Sequence, residues 1–229
     1  MLKRREFLAV AGLGGAAVVA GGFRLSGKEI TGKEDQPMSY KAKDYAGLIG
    51  MPGFSETLLK NHFTLYQGYV TNTNKVLDTL DQMVKDGKAG EPAYAELKRR
   101  LGWEWNGMRL HEYYFENLGG KAVLDADGKV AKALAKGFGS VEHWEKDFRA
   151  TAGMRGIGWV ILYHDDMAGR MFNSWINEHD VAHPAGCRPL LILDVFEHAF
   201  MIDYGLKKGE YIEAFFKNID WKAVEARLL

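Results

Sequence analysis

Hydrophobic and polar positions in the first half of the chain recur at the spacing of an α-helix. Apolar and aromatic side chains follow this period from Ser55, which stands at the position of an N-cap, to Gly87. A second helical stretch begins at Pro92, a residue favoured in the first helical turn, and ends at the glycine pair 119–120. Two internal glycines are the places where it would break: Gly102 and Gly107. Because a short turn joins the two helices, we expect them to lie antiparallel.

The period changes in the second half of the chain. Two shorter helices are predicted between residues 128 and 152, with Ser140 as the N-cap of the second. Strands are expected at 156–163, 171–176 and 190–194, and further helices at about 195–205, 208–217 and 220–228. This order predicts an α+β fold with two lobes. The N-terminal lobe is an antiparallel helical hairpin, and the C-terminal lobe holds a small three-stranded antiparallel sheet flanked by helices.

The N-terminus has the features of an export signal. Arg4 and Arg5 precede a short, glycine-rich apolar run, which resembles a twin-arginine signal. This run is too short for a permanent transmembrane helix, so we expect no stable membrane span once the signal is removed. The chain divides into an export signal at 1–25, an extended lead-in at 26–52, the hairpin lobe at 53–120 and the α+β lobe at 121–229. We therefore predict an exported protein, periplasmic or otherwise extracytoplasmic, whose signal is either cleaved or kept as an anchor.

Composition excludes several classes of function. With 229 residues, of which 47% are hydrophobic and 12% aromatic, the chain can bury a well-formed core. Its 30 basic and 30 acidic residues balance, which gives no reason to expect a nucleic-acid partner. A single cysteine, Cys187, excludes an intrachain disulfide framework and any site built from several thiolates. Metal ligands in this chain would have to be histidine, aspartate or glutamate.

One stretch near the C-terminus is a candidate for half of a metal site. Asp194 ends an apolar run that reads as a buried strand, and His198 follows four residues later at the start of a predicted helix. A carboxylate and an imidazole that point at the same spot suit iron or manganese. The alternative is structural, because Asp194 with Glu197 three residues later also forms a helix-capping pattern. His198 would then be an ordinary packed histidine.

Two further histidines lie on the two predicted long helices. His62 is followed at helical spacing by Tyr69 on the same face, and His111 lies among apolar and aromatic residues. Either one alone is more often a packed core histidine than a ligand. Together with Asp194 and His198 they supply three imidazoles and one carboxylate, a set that leaves a coordination position for solvent or substrate.

His179 and His183 superficially resemble the histidine pair of zinc proteases. In that pattern a glutamate follows the first histidine, but Asp180 stands at this position here. Pro184 also disfavours the helix that the pattern requires. We therefore assign no metal to this pair.

Residues 194–200, with the sequence Asp-Val-Phe-Glu-His-Ala-Phe, resemble the Asp-Val-Trp-Glu-His-Ala-Tyr signature of the iron/manganese superoxide dismutase family. The resemblance extends over about residues 37–228, with further matches at 67–72, 138–140 and 156–159. It implies an enzyme that converts superoxide to oxygen and hydrogen peroxide by redox cycling of one iron or manganese ion per subunit, in a homodimer or higher homo-oligomer. The ligands do not distinguish iron from manganese. The alternative is a non-catalytic exported dimerisation or binding protein that retains the fold and a structural metal site.

The resemblance also assigns roles to individual residues. It implies four metal ligands: His62, His111, Asp194 and His198. Tyr69 corresponds to the pocket tyrosine beside the open coordination position, and Trp159 to a wall of the pocket. Glu197 corresponds to the acid that reaches the partner subunit's ligand histidine. His179 stands where the family often has a glutamine that donates a hydrogen bond to the metal-bound solvent.

Four positions near the predicted site depart from the family pattern: Tyr66, Met201, Phe196 and Ile161. Tyr66 stands in the region of the family's second pocket histidine, and Met201 replaces its cross-subunit tyrosine. Both halves of the hydrogen-bonded pair through which the family relays protons are therefore missing. Phe196 and Ile161 each replace a tryptophan, which makes the aromatic surroundings of the site less extensive.

Overall fold

The structural elements follow the order that the sequence predicts. The structure is a computed structural model that describes residues 39–120 and 123–228. Its helices are α1 (Glu56–Lys85), α2 (Pro92–Glu116), α3 (Lys129–Phe138), α4 (Val141–Ala152), α5 (Met201–Tyr204), α6 (Lys208–Lys217) and α7 (Trp221–Arg227), and its strands are β1 (Gly158–Asp165), β2 (Arg170–Asn177) and β3 (Cys187–Asp194). Short 3-10 turns lie at Ala46–Leu48 and Glu197–Ala199. The predicted export signal and the beginning of the predicted lead-in lie outside the described residues.

Helices α1 and α2 form the predicted hairpin. The hydroxyl of Ser55 accepts a hydrogen bond at 3.1 Å from the first turn of α1, and Pro92 opens α2. Helix α2 runs unbroken through Gly102 and Gly107, so neither glycine interrupts it. Gly107 is buried at the hairpin interface, where the ring of Tyr69 occupies the space that a Cβ would need. Packing across the hairpin therefore outweighs the low helix propensity of glycine.

The three strands form one antiparallel sheet in the order β2-β1-β3. The central strand β1 is almost entirely buried. It pairs with β2 on one side and with β3 on the other, and helices pack against the sheet. Its register places Trp159 opposite Asp194 on β3 and opposite Ile176 on β2. The helical hairpin and this sheet confirm the predicted α+β fold class.

The segment after β3 differs from the single helix expected at 195–205. It consists of the 3-10 turn and the four-residue helix α5, separated at Phe200 by a non-helical φ of −144°. The side chain of Asp194 accepts a hydrogen bond from Phe196 N at 2.8 Å, and this local bond favours a tight turn over a regular helix. The turn brings His198 Nε2 back to 3.2 Å from Asp194 Oδ2.

A buried asparagine joins the hairpin to the sheet. Asn117 follows α2 and exchanges two hydrogen bonds with the backbone of Ile192 in β3, one at 2.9 Å and one at 3.2 Å. Asn117 and Ile192 are both fully buried, so these bonds fix the position of the end of α2 along β3. They thereby position the histidines of the hairpin beside the end of the strand. Among the described helices, none is long and apolar enough to cross a bilayer.

Candidate metal centre

Four polar side chains from four elements meet inside the protein. His62 lies on α1, His111 on α2, Asp194 at the end of β3, and His198 in the 3-10 turn that follows. Asp194 Oδ2 lies 3.1 Å from His62 Nε2, 3.2 Å from His198 Nε2 and 3.6 Å from His111 Nε2. One potential ligand atom of each residue lies within 4.8 Å of those of the other three. The structure therefore brings together all four residues that were predicted as ligands.

The environment of His111 shows why this cluster suits a cation. Its Nδ1 lies 2.5 Å from the carbonyl oxygen of Gly107, which can only accept, so Nδ1 carries the hydrogen. Burial holds the pKa of His111 well below its ordinary value, so the ring is neutral and Nε2 carries a bare lone pair. Among the described residues this nitrogen has no hydrogen-bond partner, and it faces the carboxylate of Asp194, which is also an acceptor. A positive ion between the two groups would satisfy both.

Asp194 provides the negative charge of the cluster. Burial by itself would raise the pKa of this carboxyl, but the imidazoles of His198 and His62 hold it below its ordinary range. The other carboxylate oxygen is held by Phe196 N, which directs Oδ2 toward the imidazoles. Three imidazole nitrogens and one carboxylate oxygen form a donor set typical of redox iron and manganese sites. The residues present therefore fit the ion that the resemblance implies.

A hydrogen-bonded row of three side chains lies beside the cluster. Trp159 Nε1 donates to His179 Nδ1 at 3.1 Å, and His179 Nε2 lies 2.7 Å from the hydroxyl oxygen of Tyr69. Because an indole N–H can only donate, Nδ1 of His179 must accept and Nε2 must carry the hydrogen. Burial lowers the pKa of His179 to about 4, so the ring is neutral near pH 7. His179 therefore donates to Tyr69, and its two nitrogens are both engaged with protein atoms.

Tyr69 forms the other end of this row. Its ring stacks on His111, with centroids 5.2 Å apart and planes 27° apart. Burial raises the pKa of Tyr69 to about 12, with Asp194 and Glu104 adding to the shift, so the hydroxyl keeps its proton at neutral pH. Since the oxygen accepts from His179, the hydroxyl hydrogen is free to be donated elsewhere.

Two residues at the site were missed in the sequence. Gly107 supplies the carbonyl that sets the tautomer of His111 and the space for the ring of Tyr69. A glycine four residues before a helical histidine is the available signal, although the sequence pattern alone indicates only a possible helix breaker. Trp103 packs edge-on against His179 with centroids 4.7 Å apart, and no periodic pattern pointed to it.

The substituted positions have defined surroundings. Phe196 stacks on His179 with centroids 4.6 Å apart and on His198 at 5.2 Å, so it forms an apolar floor under both rings. The hydroxyl of Tyr66 instead donates to the buried carboxylate of Glu112 at 3.0 Å. Ile161 is fully buried in β1.

One side of the cluster reaches the surface. The side chain of His198 is 28% exposed, whereas those of the other three cluster residues are buried. Glu197 beside it is exposed, as are Met201 at 42% and Ile202 at 50%. The surface next to His198 therefore combines an acid with apolar side chains.

Residues 126–227 match the family model described as iron/manganese superoxide dismutases, C-terminal domain. The iron superoxide dismutase of Cupriavidus metallidurans is 37% identical over 183 residues, which cover 77% of this chain and 89% of that protein. Manganese superoxide dismutase 2 of Haloferax volcanii is 34% identical over 177 residues, covering 77% and 87%. The manganese superoxide dismutase of Haloarcula marismortui is 34% identical over 199 residues, covering 86% and 94%. Together with the fold and the cluster of three histidines and one aspartate, these similarities show that the chain belongs to the iron/manganese superoxide dismutase family.

Proposed function

We propose that this protein is a superoxide dismutase that converts two superoxide ions and two protons into oxygen and hydrogen peroxide with one iron or manganese ion per subunit. The observation that carries the proposal is the convergence of His62, His111 and His198 on one oxygen of Asp194. Relatives named for iron and for manganese are similar to this chain to about the same degree, which supports either ion. Nothing at the site favours the alternative of a non-catalytic scaffold.

The four cluster residues would hold the ion. A bound iron or manganese ion would supply the one-electron redox chemistry that superoxide dismutation needs. The carboxylate of Asp194 offsets only part of the positive charge, so the centre attracts an anion. Burial of His62 and His111 excludes water from their side of the site and strengthens this attraction.

Tyr69 and His179 are the residues that we expect to supply protons for the reaction. The raised pKa of Tyr69, about 12, keeps its hydroxyl protonated at neutral pH. The hydrogen bond from His179 Nε2 to the tyrosine oxygen leaves the hydroxyl hydrogen of Tyr69 free to be donated to another acceptor. Trp159 fixes the tautomer on which this arrangement depends and forms a wall of the pocket. In this proposal Tyr69 Oη–H is the protein group that offers a proton to the reduced substrate.

The test is a superoxide assay on protein of known metal content. Wild-type protein filled with iron or with manganese should remove superoxide, and His198→Ala should lose both the ion and the activity. His143→Ala, which changes an exposed histidine of α4, should retain both. A wild-type protein that holds a full complement of either metal and leaves superoxide untouched would refute the proposal.

We further propose that the face around Glu197 and His198 is the contact of a homodimer, in which Glu197 reaches the ligand histidine of the partner subunit. The support is the partial exposure of His198, the exposed acid beside it and the exposed apolar side chains of Met201 and Ile202. Sedimentation equilibrium should give a dimer for wild type and a weaker dimer for Glu197→Ala with Ile202→Ser. A wild-type protein that sediments as a monomer at micromolar concentration contradicts this arrangement.

For localisation, we propose that residues 1–25 direct export through a twin-arginine pathway. The support is the sequence pattern of Arg4 and Arg5 before a weakly apolar, glycine-rich run. Fractionation of producing cells should recover the protein outside the cytoplasm, and changing both arginines to lysine should retain it inside. Recovery of the wild type only in the cytoplasm would reject export.

A further inference from the structure

The loop 178–186, which connects β2 to β3, holds His179 in an unusual backbone environment. Glu178 and Ala182 have positive φ values of 54° and 77°, and no other non-glycine residue among those described does. Such conformations are unfavourable for non-glycine residues and persist only where surrounding contacts impose them. Glu178 directly precedes His179 and Ala182 follows it by three residues, and His179 is itself fully buried. Contacts around this loop must therefore stabilise the position of His179.

His183 supplies one of these contacts. Its Nε2 lies 2.9 Å from the backbone oxygen of His179, and its Nδ1 lies 2.9 Å from the hydroxyl of Tyr163. The carbonyl oxygen can only accept, so Nε2 of His183 donates to it. Burial raises the pKa of Tyr163, which keeps its hydroxyl protonated and able to donate to Nδ1. His183 thus stands between the central strand and the backbone of the loop.

The same strand holds His179 in two ways. Trp159 and Tyr163 lie four residues apart on β1, so their side chains project from the same face of the sheet. Trp159 binds the imidazole of His179 directly, and Tyr163 holds its backbone through His183. The position and the tautomer of one ring are therefore both fixed from β1. The remaining nitrogen of that ring makes the 2.7 Å contact with Tyr69.

We propose that His183, oriented by Tyr163, is a positioning residue that sets the hydrogen bond between His179 and Tyr69. The inference rests on the proposed function, because it concerns Tyr69 and His179, the residues proposed to supply protons. His183 lies outside the metal cluster and touches no substrate; it acts through the backbone of His179. His179 and His183, which resemble the ligand pair of zinc proteases, therefore have another relationship: His179 is buried, and His183 holds its backbone.

The variants are chosen to remove the contact without opening the site. His183→Leu fills a similar volume and lacks both nitrogens, whereas His183→Gln keeps an N–H that can reach the backbone oxygen. Tyr163→Phe removes only the hydroxyl that orients His183 and tests the same link if His183→Leu fails to fold. His143→Leu, at an exposed histidine on α4, is the matched control.

The first readout needs no metal. In metal-free protein labelled with 15N-histidine, the Nε2–H signal of His179, assigned by its loss in His179→Ala, should be sharp in wild type and in His143→Leu. It should broaden or shift in His183→Leu and Tyr163→Phe, and His183→Gln should restore most of it. An unchanged signal in folded His183→Leu, or in Tyr163→Phe if the former does not fold, would overturn the proposal.

The second readout is the rate of superoxide removal per bound ion. His183→Leu should lower it roughly tenfold, as loss of a group that orients a metal-site residue typically does. In a His179→Ala background the same change should have no further effect, because the ring to be positioned is absent. An equal loss in both backgrounds would overturn the proposal and leave His183 with a structural role only. Inactive wild type would instead refute the dismutase function, while the NMR comparison would still decide the positioning role.

Discussion

Tyr69 and Gly107 approach each other across the helical hairpin so closely that a Cβ at position 107 would lie 2.5 Å from the tyrosine ring. This contact lets the ring stack on His111 and leaves its hydroxyl beside His179. The absence of one methyl group on α2 therefore decides where the proton-bearing side chain of α1 lies.

Gly107→Ala should displace the ring of Tyr69 and lower activity more than it lowers metal content. Overpacking at this site should also reduce the free energy of unfolding by about 1–3 kcal/mol. Gly68→Ala on α1 is the control, because nothing lies within 4 Å of a Cβ there. That change should stabilise the helix by up to about 1 kcal/mol and leave activity intact. Urea denaturation and an assay normalised to bound metal measure both effects, and equal behaviour of the two variants would contradict the role of Gly107.

Asp194→Asn should weaken metal binding without unfolding the metal-free protein. The neutral amide removes the charge that holds the ion, yet its N–H can donate to a lone pair such as that of His111 Nε2. Metal at a hundredfold excess over its dissociation constant should stabilise wild type by about 2.7 kcal/mol. The variant should show little of this gain.

Thermal or urea unfolding with and without metal measures the difference, and Asp78→Asn, at an exposed site on α1, should match wild type in both states. A variant that gains as much stability from metal as wild type would exclude Asp194 as a ligand.

His179 should make the metal-free protein less stable in acid. Burial lowers its pKa from 6.5 to about 4, so between these values the unfolded chain binds a proton that the folded chain does not. The contribution of the neutral, buried His179 ring to the free energy of unfolding is thus complete above pH 6.5 and is lost as the pH falls toward 4. At about 1.36 kcal/mol per pKa unit, the loss amounts to at most about 3.4 kcal/mol.

Urea unfolding of metal-free wild type and His179→Gln between pH 4 and pH 7 tests this dependence. The stability of wild type relative to the variant should decrease as the pH falls, whereas the exposed His143→Gln should run parallel to wild type. Parallel curves for His179→Gln would show that the ring is not held neutral by burial.

Trp159→Phe should remove the hydrogen bond that fixes the tautomer of His179. Loss of the indole N–H leaves a buried nitrogen unpaired, which costs about 1–3 kcal/mol, and activity should fall roughly tenfold. Trp144→Phe is a matched control, because Trp144 Nε1 also makes a hydrogen bond, at 3.2 Å to Asn173, but lies away from the cluster. It should lose stability and keep its activity per bound ion. If the two variants lose activity alike, the effect is one of general packing.

The order of elements and the four cluster residues could be predicted because both leave strong marks in the sequence. Helical spacing placed His62 and His111 on one hairpin, and the apolar run before Asp194 predicted a buried strand. The segment after Asp194 was expected as a regular helix, since periodicity does not reveal the side-chain bond to Phe196 N that tightens the turn. The role of His183 was also out of reach, because it depends on a strained loop and a strand meeting in space.

The four cluster residues are spread from position 62 to position 198. During synthesis, the last of them emerges only after most of the polypeptide has left the ribosome. A nascent or truncated chain that ends before residue 198 lacks one of the four proposed ligands, so we expect it to bind the ion more weakly than the full chain.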